Sequence, residues 1–299
     1  MQPIDGKLFS PFEKKRKTLV MKGYDFDYET TVSWEKRDAT VSNIRRSPGY
    51  DVFKFRQLVN EVAHVTISNK NYEMYYRGQS KDYMNNQSSY FRKNEPKTII
   101  YPSICRPERK EDGTYKYSTK KSQIIKRYDD LSKMIELMTK KGRRKSHFNE
   151  YYYSLLQHYD ILPTPFIDIT QSLRVAATFA LKASNSGYLY VFGLPYANQS
   201  ISYYSDLSIV LIKLQNVMPL DALRPRYQEG YLVGKFPIQP TKEQGDDLAN
   251  RLVAKFRLNN KDGNFWDKHF LPMPEEILYP ENDYVLDKLL SQKRDFDAL

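Results

Sequence analysis

Cysteine is almost missing from this chain: Cys105 is the single one in 299 residues. That excludes an intramolecular disulfide, leaves a zinc site without its usual thiolates, and points to a reducing, cytoplasmic setting. Cys105 itself, between Ile104 and Arg106, reads as a small core residue rather than a reactive thiol. Histidine is scarce as well, with 4 in all and no His-x-His or His-x-x-x-His pair, so an imidazole-based metal site has little support. No run approaches the roughly 18–20 apolar residues that a membrane helix needs. The segment Met1–Tyr24 has Lys and Arg but no apolar stretch leading to a small-residue cleavage site, so it does not read as a secretory signal. No glycine-rich phosphate loop follows a strand and no Gly-x-Ser-x-Gly elbow is present, which sets aside a dinucleotide-binding parallel sheet and an α/β-hydrolase. There is no internal repeat and no low-complexity segment.

Tyrosine is plentiful: 25, against 2 Trp and 15 Phe. A core cannot satisfy that many phenols, so many of these rings are expected half-buried with a wet hydroxyl. Hydrophobic residues at 40% and charged residues at 28% are ordinary for a globular chain long enough to bury a core. The formal net charge is +11, which favours an anionic partner: a nucleotide, a nucleic acid or an acidic protein. The densest basic crowd, Lys140-Lys141-Gly142-Arg143-Arg144-Lys145, is either a solvated helix end or a phosphate-contacting patch.

Residues 1–50 are polar and read as an N-terminal extension; residues 51–299 read as one domain. From Asp51 to Asn69 the apolar residues Val52, Phe55, Leu58, Val59 and Val62 recur at helical spacing. Tyr72–Tyr76 reads as a short strand delivering Arg77-Gly78, and Thr98–Tyr101 as another strand. Ile124, Tyr128, Leu131, Ile135 and Met138 mark a long helix between Ser118 and Lys141. Asn149–Tyr159 reads as a helix, Phe166–Ile169 as a strand and Gln171–Ala183 as a helix, with Gly187 ending that region. Strands follow at Tyr188–Phe192, Ile209–Leu214, Gly230–Phe236 and Val253–Leu258, and helices at Thr241–Asn250 and Glu281–Leu290. Helices and strands are interspersed without regular βαβ spacing, so the expected class is α+β with a mixed central sheet and peripheral helices.

Four stretches could carry chemistry. Arg77, beside Gly78 and followed by Gln79 and Ser80, either forks onto a phosphate or carboxylate or ties two strands through loop carbonyls. Asp168-Ile169-Thr170-Gln171-Ser172 joins a strand to a helix; Thr170 is a natural N-cap, the free N–H groups behind it suit an anion, and Asp168 could orient Arg77 or His158. His158, at a buried-looking helix end, is either a hydrogen-bonded core residue or a participant in the site. Arg224-Pro225-Arg226-Tyr227-Gln228-Glu229-Gly230 brings two arginines, an amide and a carboxylate to a strand mouth. Arg77, His158, Asp168, Thr170 and the Gln228–Glu229 pair are expected to meet in one cleft.

Taken in order, these residues resemble the FRG domain. The likeness rests on Tyr76-Arg77-Gly78-Gln79-Ser80, Pro102-Ser103-Ile104-Cys105-Arg106, Gln157-His158-Tyr159, Pro163-Thr164, Asp168-Ile169-Thr170, the helix ending Phe179-Ala180, Gln228 with Gly230, and Tyr279-Pro280 before Asp283. Many members of that family have Arg after Pro-Thr and Trp after the Asp, where this chain has Pro165 and Ile169. The resemblance implies an FRG-type fold with a pocket that includes Gly78, Gln79, Ser103, Arg106, His158, Asp168 and Arg226. A second similarity, to ADP-ribosyltransferases, implies NAD as the ligand. In that scheme Arg77 holds the pyrophosphate or ribose, Thr170 with Ser172 supports the nicotinamide pocket, and Glu229 or Gln228 serves the transition state. Here the late segment is Gln-Glu-Gly, not Glu-x-Glu. The company such domains keep implies phage defence or a toxin-like role, and the alternative to catalysis is a nucleotide-sensing or nucleic-acid-binding module.

Overall fold

The computed structural model describes residues 20–23, 39–69, 72–85, 96–106, 119–140, 148–240 and 247–299. Lys141–Lys145 of the basic crowd lie outside them. Among the described residues the strands are β1 (Val20–Gly23), β2 (Ala39–Thr40), β3 (Tyr50–Val52), β4 (Glu73–Gln79), β5 (Met84–Asn85), β6 (Lys97–Thr98), β7 (Phe166–Thr170), β8 (Ser186–Leu194), β9 (Ile201–Tyr204), β10 (Ile209–Lys213), β11 (Gly230–Lys235) and β12 (Leu252–Asn259). The helices are α1 (Val41–Arg46), α2 (Phe55–Ser68), α3 (Lys121–Lys140), α4 (Asn149–His158), α5 (Leu173–Leu181), α6 (Leu214–Val217), α7 (Arg224–Tyr227), α8 (Glu275–Leu278) and α9 (Tyr284–Asp297). The large sheet has eight strands in the order β3-β12-β8-β4-β7-β11-β10-β9. It is mixed, with β3 parallel to β12 and β12 antiparallel to β8. The class is α+β.

The chain groups into two units: residues 1–100, 170–196 and 248–273 form the first, and 101–169, 197–247 and 274–299 the second. In the first, β8 lies between β12 and β4 and is buried almost throughout, which is why it reads as a continuous apolar run rather than an alternating one. Phe55, Leu58, Val62 and Val65 place one stripe of α2 in a core shared with Met74, Tyr76, Leu189, Val191, Phe256 and Ala176, Ala177 and Ala180 of α5. Each large aliphatic side chain buried this way contributes about 1.5–3 kcal/mol. Val59 is off that stripe and exposed, and Val52 belongs to β3 rather than to the helix.

Helix α5 packs closely because two glycines lie under it. A Cβ at Gly78 would stand 1.8 Å from the Ala176 carbonyl oxygen, and one at Gly187 would stand 2.1 Å from that of Ala180. Gly187 therefore sits inside β8 as a contact residue and does not end the preceding segment. Arg77 and Gly78 are likewise within β4, which runs three residues beyond the expected Tyr76.

In the second unit α3 buries Ile124, Leu131 and Met134, and α4 buries Leu155 and Leu156. Strands β9, β10 and β11 form an antiparallel run. Asp283 caps α9, its carboxylate accepting from the Val285 and Leu286 N–H groups; this moves the helix start three residues past the expected Glu281.

Candidate functional site

In the first unit, alternation along β4 puts Arg77 on the face opposite the α5 contact made by Gly78. Arg77 pairs across the ladder with Tyr190 of β8, and Tyr190 pairs with Lys255 of β12. Around that row is a buried polar network centred on Asp82. Tyr190 Oη donates to Asp82 Oδ1 (2.9 Å), Thr98 Oγ1 donates to the same oxygen (2.8 Å), and Lys255 Nζ donates to Asp82 Oδ2 (2.9 Å) and Thr98 Oγ1 (2.9 Å). The Lys255 and Asp82 side chains are 0% and 4% exposed. Burial holds the Lys255 ammonium below its ordinary value, with Asp82 opposing. Burial and then Asp82 push the Tyr190 phenol up, and the Arg77 charge works the other way. Gln79 is half-buried at the end of the strand.

Thr170 does not cap a helix. It ends β7 opposite Tyr76, and its hydroxyl accepts from the Ser172 N–H (2.9 Å). Ser172 occupies the cap position of α5 without making a side-chain capping bond. The ladder to β4 holds the strand through Thr170, so the helix starts at Leu173 and not at Gln171.

The second unit contains the denser constellation. The Pro-Thr turn is pinned by Ser103: the Thr164 N–H donates to Ser103 Oγ (2.8 Å), and the Ile104 N–H donates to the Thr164 carbonyl (3.0 Å). The Ser103 hydroxyl (3.2 Å) and the Thr164 hydroxyl both donate to Gln157 Oε1. With its acceptor end so occupied, Gln157 turns its amide N–H toward Asp168 Oδ2 (2.7 Å). His158 Nδ1 lies 3.1 Å from Asp168 Oδ1. Each carboxylate oxygen is thus held by one of two consecutive residues at the end of α4.

Exposure in this pair is opposite to that of a histidine acting on substrate. The His158 side chain is 2% exposed and that of Asp168 37%. Nε2 of His158 is buried without a hydrogen-bond partner, and its ring lies against Gly230, where a Cβ would be 3.5 Å from Cε1. The group presented outward is the carboxylate, and the imidazole stands behind it.

The remaining expected residues fall outside this constellation. Arg106 is exposed, its Nε donating to the Tyr101 carbonyl (3.2 Å), which fixes it on its own loop. Arg224–Tyr227 is a short helix rather than a loop, with Pro225 in its first turn. Arg226 is half-buried on that helix. Gln228, just past it, is buried and donates its amide to the Leu278 carbonyl (2.8 Å). Glu229 is exposed, with φ 46°.

One grouping escaped the sequence analysis, that of Arg224 with Tyr159 and Tyr279. The Arg224 guanidinium lies 4.6 Å from the ring centre of Tyr279 and 5.6 Å from that of Tyr159. Burial, then the Asp283 carboxylate, pushes the Tyr159 phenol far up, with Arg224 opposing. Tyr159, Arg224, Tyr279 and Asp283 all stood in the motif string; adjacency to His158 was the signal that could have singled out Tyr159.

Among the described residues no group of three or more His, Cys, Asp and Glu side chains could hold a metal ion, and no helix is long and apolar enough to cross a membrane. The fold is thus a mixed-sheet α+β protein whose densest polar constellation joins Ser103, Gln157, His158, Thr164 and Asp168. Residues 72–188 match the family model of the FRG domain, and the chain carries that domain. The matched stretch holds Arg77, Gly78, Ser103, His158, Asp168 and Thr170, and leaves Arg226, Gln228 and Glu229 outside it. No curated protein and no solved structure matches the chain.

Proposed function

We propose that the FRG domain of this chain is a nucleotide-binding module, with NAD as the first candidate ligand, and that Asp168 accepts hydrogen bonds from a ribose diol. The supporting observation is the Asp168 carboxylate, held at both oxygens by Gln157 and His158 and still more than a third exposed. An ionised carboxylate only accepts, so it suits a neighbouring pair of hydroxyls, the role an acidic residue plays toward the ribose in dinucleotide sites. Its orientation is set before ligand arrives, which lowers the ordering cost of binding.

Binding is preferred to group transfer because of the late segment. A transferase acid has to meet developing positive charge on the sugar, whereas Glu229 is exposed on a left-handed residue and the Gln228 amide is bonded to Leu278. A sensing module of this kind fits a phage-defence or toxin-like system that responds to a change in nucleotide level.

Calorimetric titration of the full chain with NAD, ADP-ribose and 2′-deoxy analogues tests this. Asp168→Asn should weaken the ribonucleotides by about 1.5–3 kcal/mol, the scale of a hydrogen bond to a charged group. The deoxy analogues should bind wild type weakly and be nearly indifferent to the substitution. Failure of wild type to bind any ribonucleotide, or NAD consumed with Glu229 essential, would overturn the assignment.

A further inference from the structure

Two of the arginines described in the second unit use their donors to hold the fold. Arg127 gives hydrogen bonds to the carbonyls of Ile104 (2.7 Å) and Arg106 (2.8 Å), and Arg106 gives one to Tyr101. Arg224 differs. It is half-buried between two tyrosine rings, its Nε is buried without a partner, and its guanidinium forms no hydrogen bond or ion pair with a described residue. Stacking fixes the plane of a guanidinium and leaves its N–H edge available, the arrangement that meets two oxygens of a phosphate together.

The ring of Tyr159 is itself fixed in place. Tyr159 is 3% exposed, and burial together with its hydrogen-bonding interaction with the Asp283 carboxylate keeps its hydroxyl protonated. The buried Arg224 Nε, left without a partner between two tyrosine rings, is uncommon in a fold. The carboxylate at Asp283 would oppose an anion, but Oδ1 accepts from the Val285 and Leu286 N–H groups at the start of α9, where the helix dipole offsets part of its charge, and the Tyr159 hydroxyl engages the same carboxylate. Tyr159 also follows His158 directly, so consecutive side chains at the end of α4 serve Asp168 and Arg224.

We propose that Arg224, framed by the rings of Tyr159 and Tyr279, binds a phosphate group of the ligand. In this assignment, which rests on the nucleotide-binding function above, Asp168 selects the ribose and Arg224 the phosphate. The ligand class narrows to nucleotides over nucleosides, and a pyrophosphate-bearing nucleotide uses the bidentate fork fully.

The full chain is titrated with adenosine, with ADP-ribose and with inorganic pyrophosphate, comparing wild type, Arg224→Gln and Asp168→Asn. Arg224→Gln should lower ADP-ribose affinity at least tenfold and leave adenosine unchanged, while Asp168→Asn lowers both. Pyrophosphate should raise the melting temperature of wild type and not of Arg224→Gln. Equal ADP-ribose affinity in wild type and Arg224→Gln, or equal losses for adenosine and ADP-ribose in that variant, overturns the assignment. If no nucleotide binds, the nucleotide function falls, and pyrophosphate alone decides: protection lost in Arg224→Gln keeps a phosphate site, and no protection of wild type removes it. Should Arg224→Gln fail to fold, Arg224→Lys takes its place. It keeps the cation and loses the fork, so pyrophosphate protection should fall with an unchanged melting temperature in buffer; full protection would overturn the assignment.

Discussion

Replacing Gly78 with Ala would ordinarily help a strand by about 0.5–1 kcal/mol, because glycine loses more backbone freedom on folding. Here the sign should reverse. The added Cβ would stand 1.8 Å from the Ala176 carbonyl oxygen, 2.7 Å from the Ala180 nitrogen and 2.9 Å from the Ala176 carbonyl carbon. All three are backbone atoms, so no side chain can rotate away. A relaxed carbon–oxygen contact is about 3.3 Å, so α5 has to lift by roughly 1.5 Å or the strand must bend by as much. Lifting withdraws Val175, Ala176, Ala177 and Ala180, all buried, from the sheet. The cost should reach about 3 kcal/mol, the upper part of the overpacking range. Gly187→Ala should behave alike, its Cβ meeting the Ala180 carbonyl at 2.1 Å. The decisive measurement is the pair. Both methyls enter beneath the same turn of one helix, so once α5 has moved for the first, the second costs little. Denaturant unfolding of the double variant should fall about 2 kcal/mol short of the sum of the single losses. Additivity within about 0.5 kcal/mol, or a Gly78→Ala loss below about 1 kcal/mol, would refute the close-packing account.

Three other outcomes follow from buried groups and one exposed one. Asp82→Asn should destabilise by about 3 kcal/mol, because it leaves the fully buried Lys255 ammonium without its carboxylate; Lys255→Met should cost less, since Asp82 keeps the Thr98 and Tyr190 hydroxyls, and equal losses in urea titration would contradict this. Glu61 is buried with Oε2 unpartnered, and burial raises its carboxyl while His64 opposes. The folded chain therefore holds that proton more tightly than the unfolded one, and the contribution of Glu61 to stability falls as pH rises from about 4.3 through the folded value. Glu61→Gln should gain about 1 kcal/mol over wild type at neutral pH, a gain that closes below about pH 4; melts showing the same gap at both pH values would count against it. Glu229→Gln should leave nucleotide affinity within about twofold, since an exposed carboxylate without a ligand contact contributes little; NAD turnover in wild type that falls at least a hundredfold in this variant would restore the transferase role.

Periodicity served well where one element met one core face. The stripe Phe55, Leu58, Val62 of α2 and the run Ile124, Leu131, Ile135 of α3 are buried as their spacing implies, because a helix has to turn its apolar side to something. It failed where a distant partner set the boundary. β3 is a strand because Tyr50–Val52 pair in parallel with Phe256–Leu258, some two hundred residues away, so a helix-like spacing from Asp51 misled. Thr170 has the chemistry of an N-cap, but its pairing with Tyr76 keeps it in β7. Gly187 looked like a terminator because the glycine signal is the same for a helix end and for a strand lying under a helix. β9, four residues at the sheet edge, has too short a pattern to stand out.

The site was legible in its residues more than in their roles. His158 and Asp168 lie ten positions apart; the sequence left Asp168 to orient either Arg77 or His158, and its Oδ1 lies 3.1 Å from His158 Nδ1. Which member faces outward was not implied, because the burial of the imidazole depends on packing against distant residues such as Gly230. The motif residues divide once their hydrogen bonds are followed. Ser103, Thr164 and Gln157 are occupied in holding one another, Gly78 exists for the α5 contact, and Gln228 is spent on Leu278. A polar side chain kept half-buried while its donors go unused has to be stabilised by something the fold does not supply. In the second unit that singles out Arg224, whose buried Nε has no partner, as the group we propose for phosphate, while Asp168, oriented by Gln157 and His158, is the acceptor we propose for ribose hydroxyls.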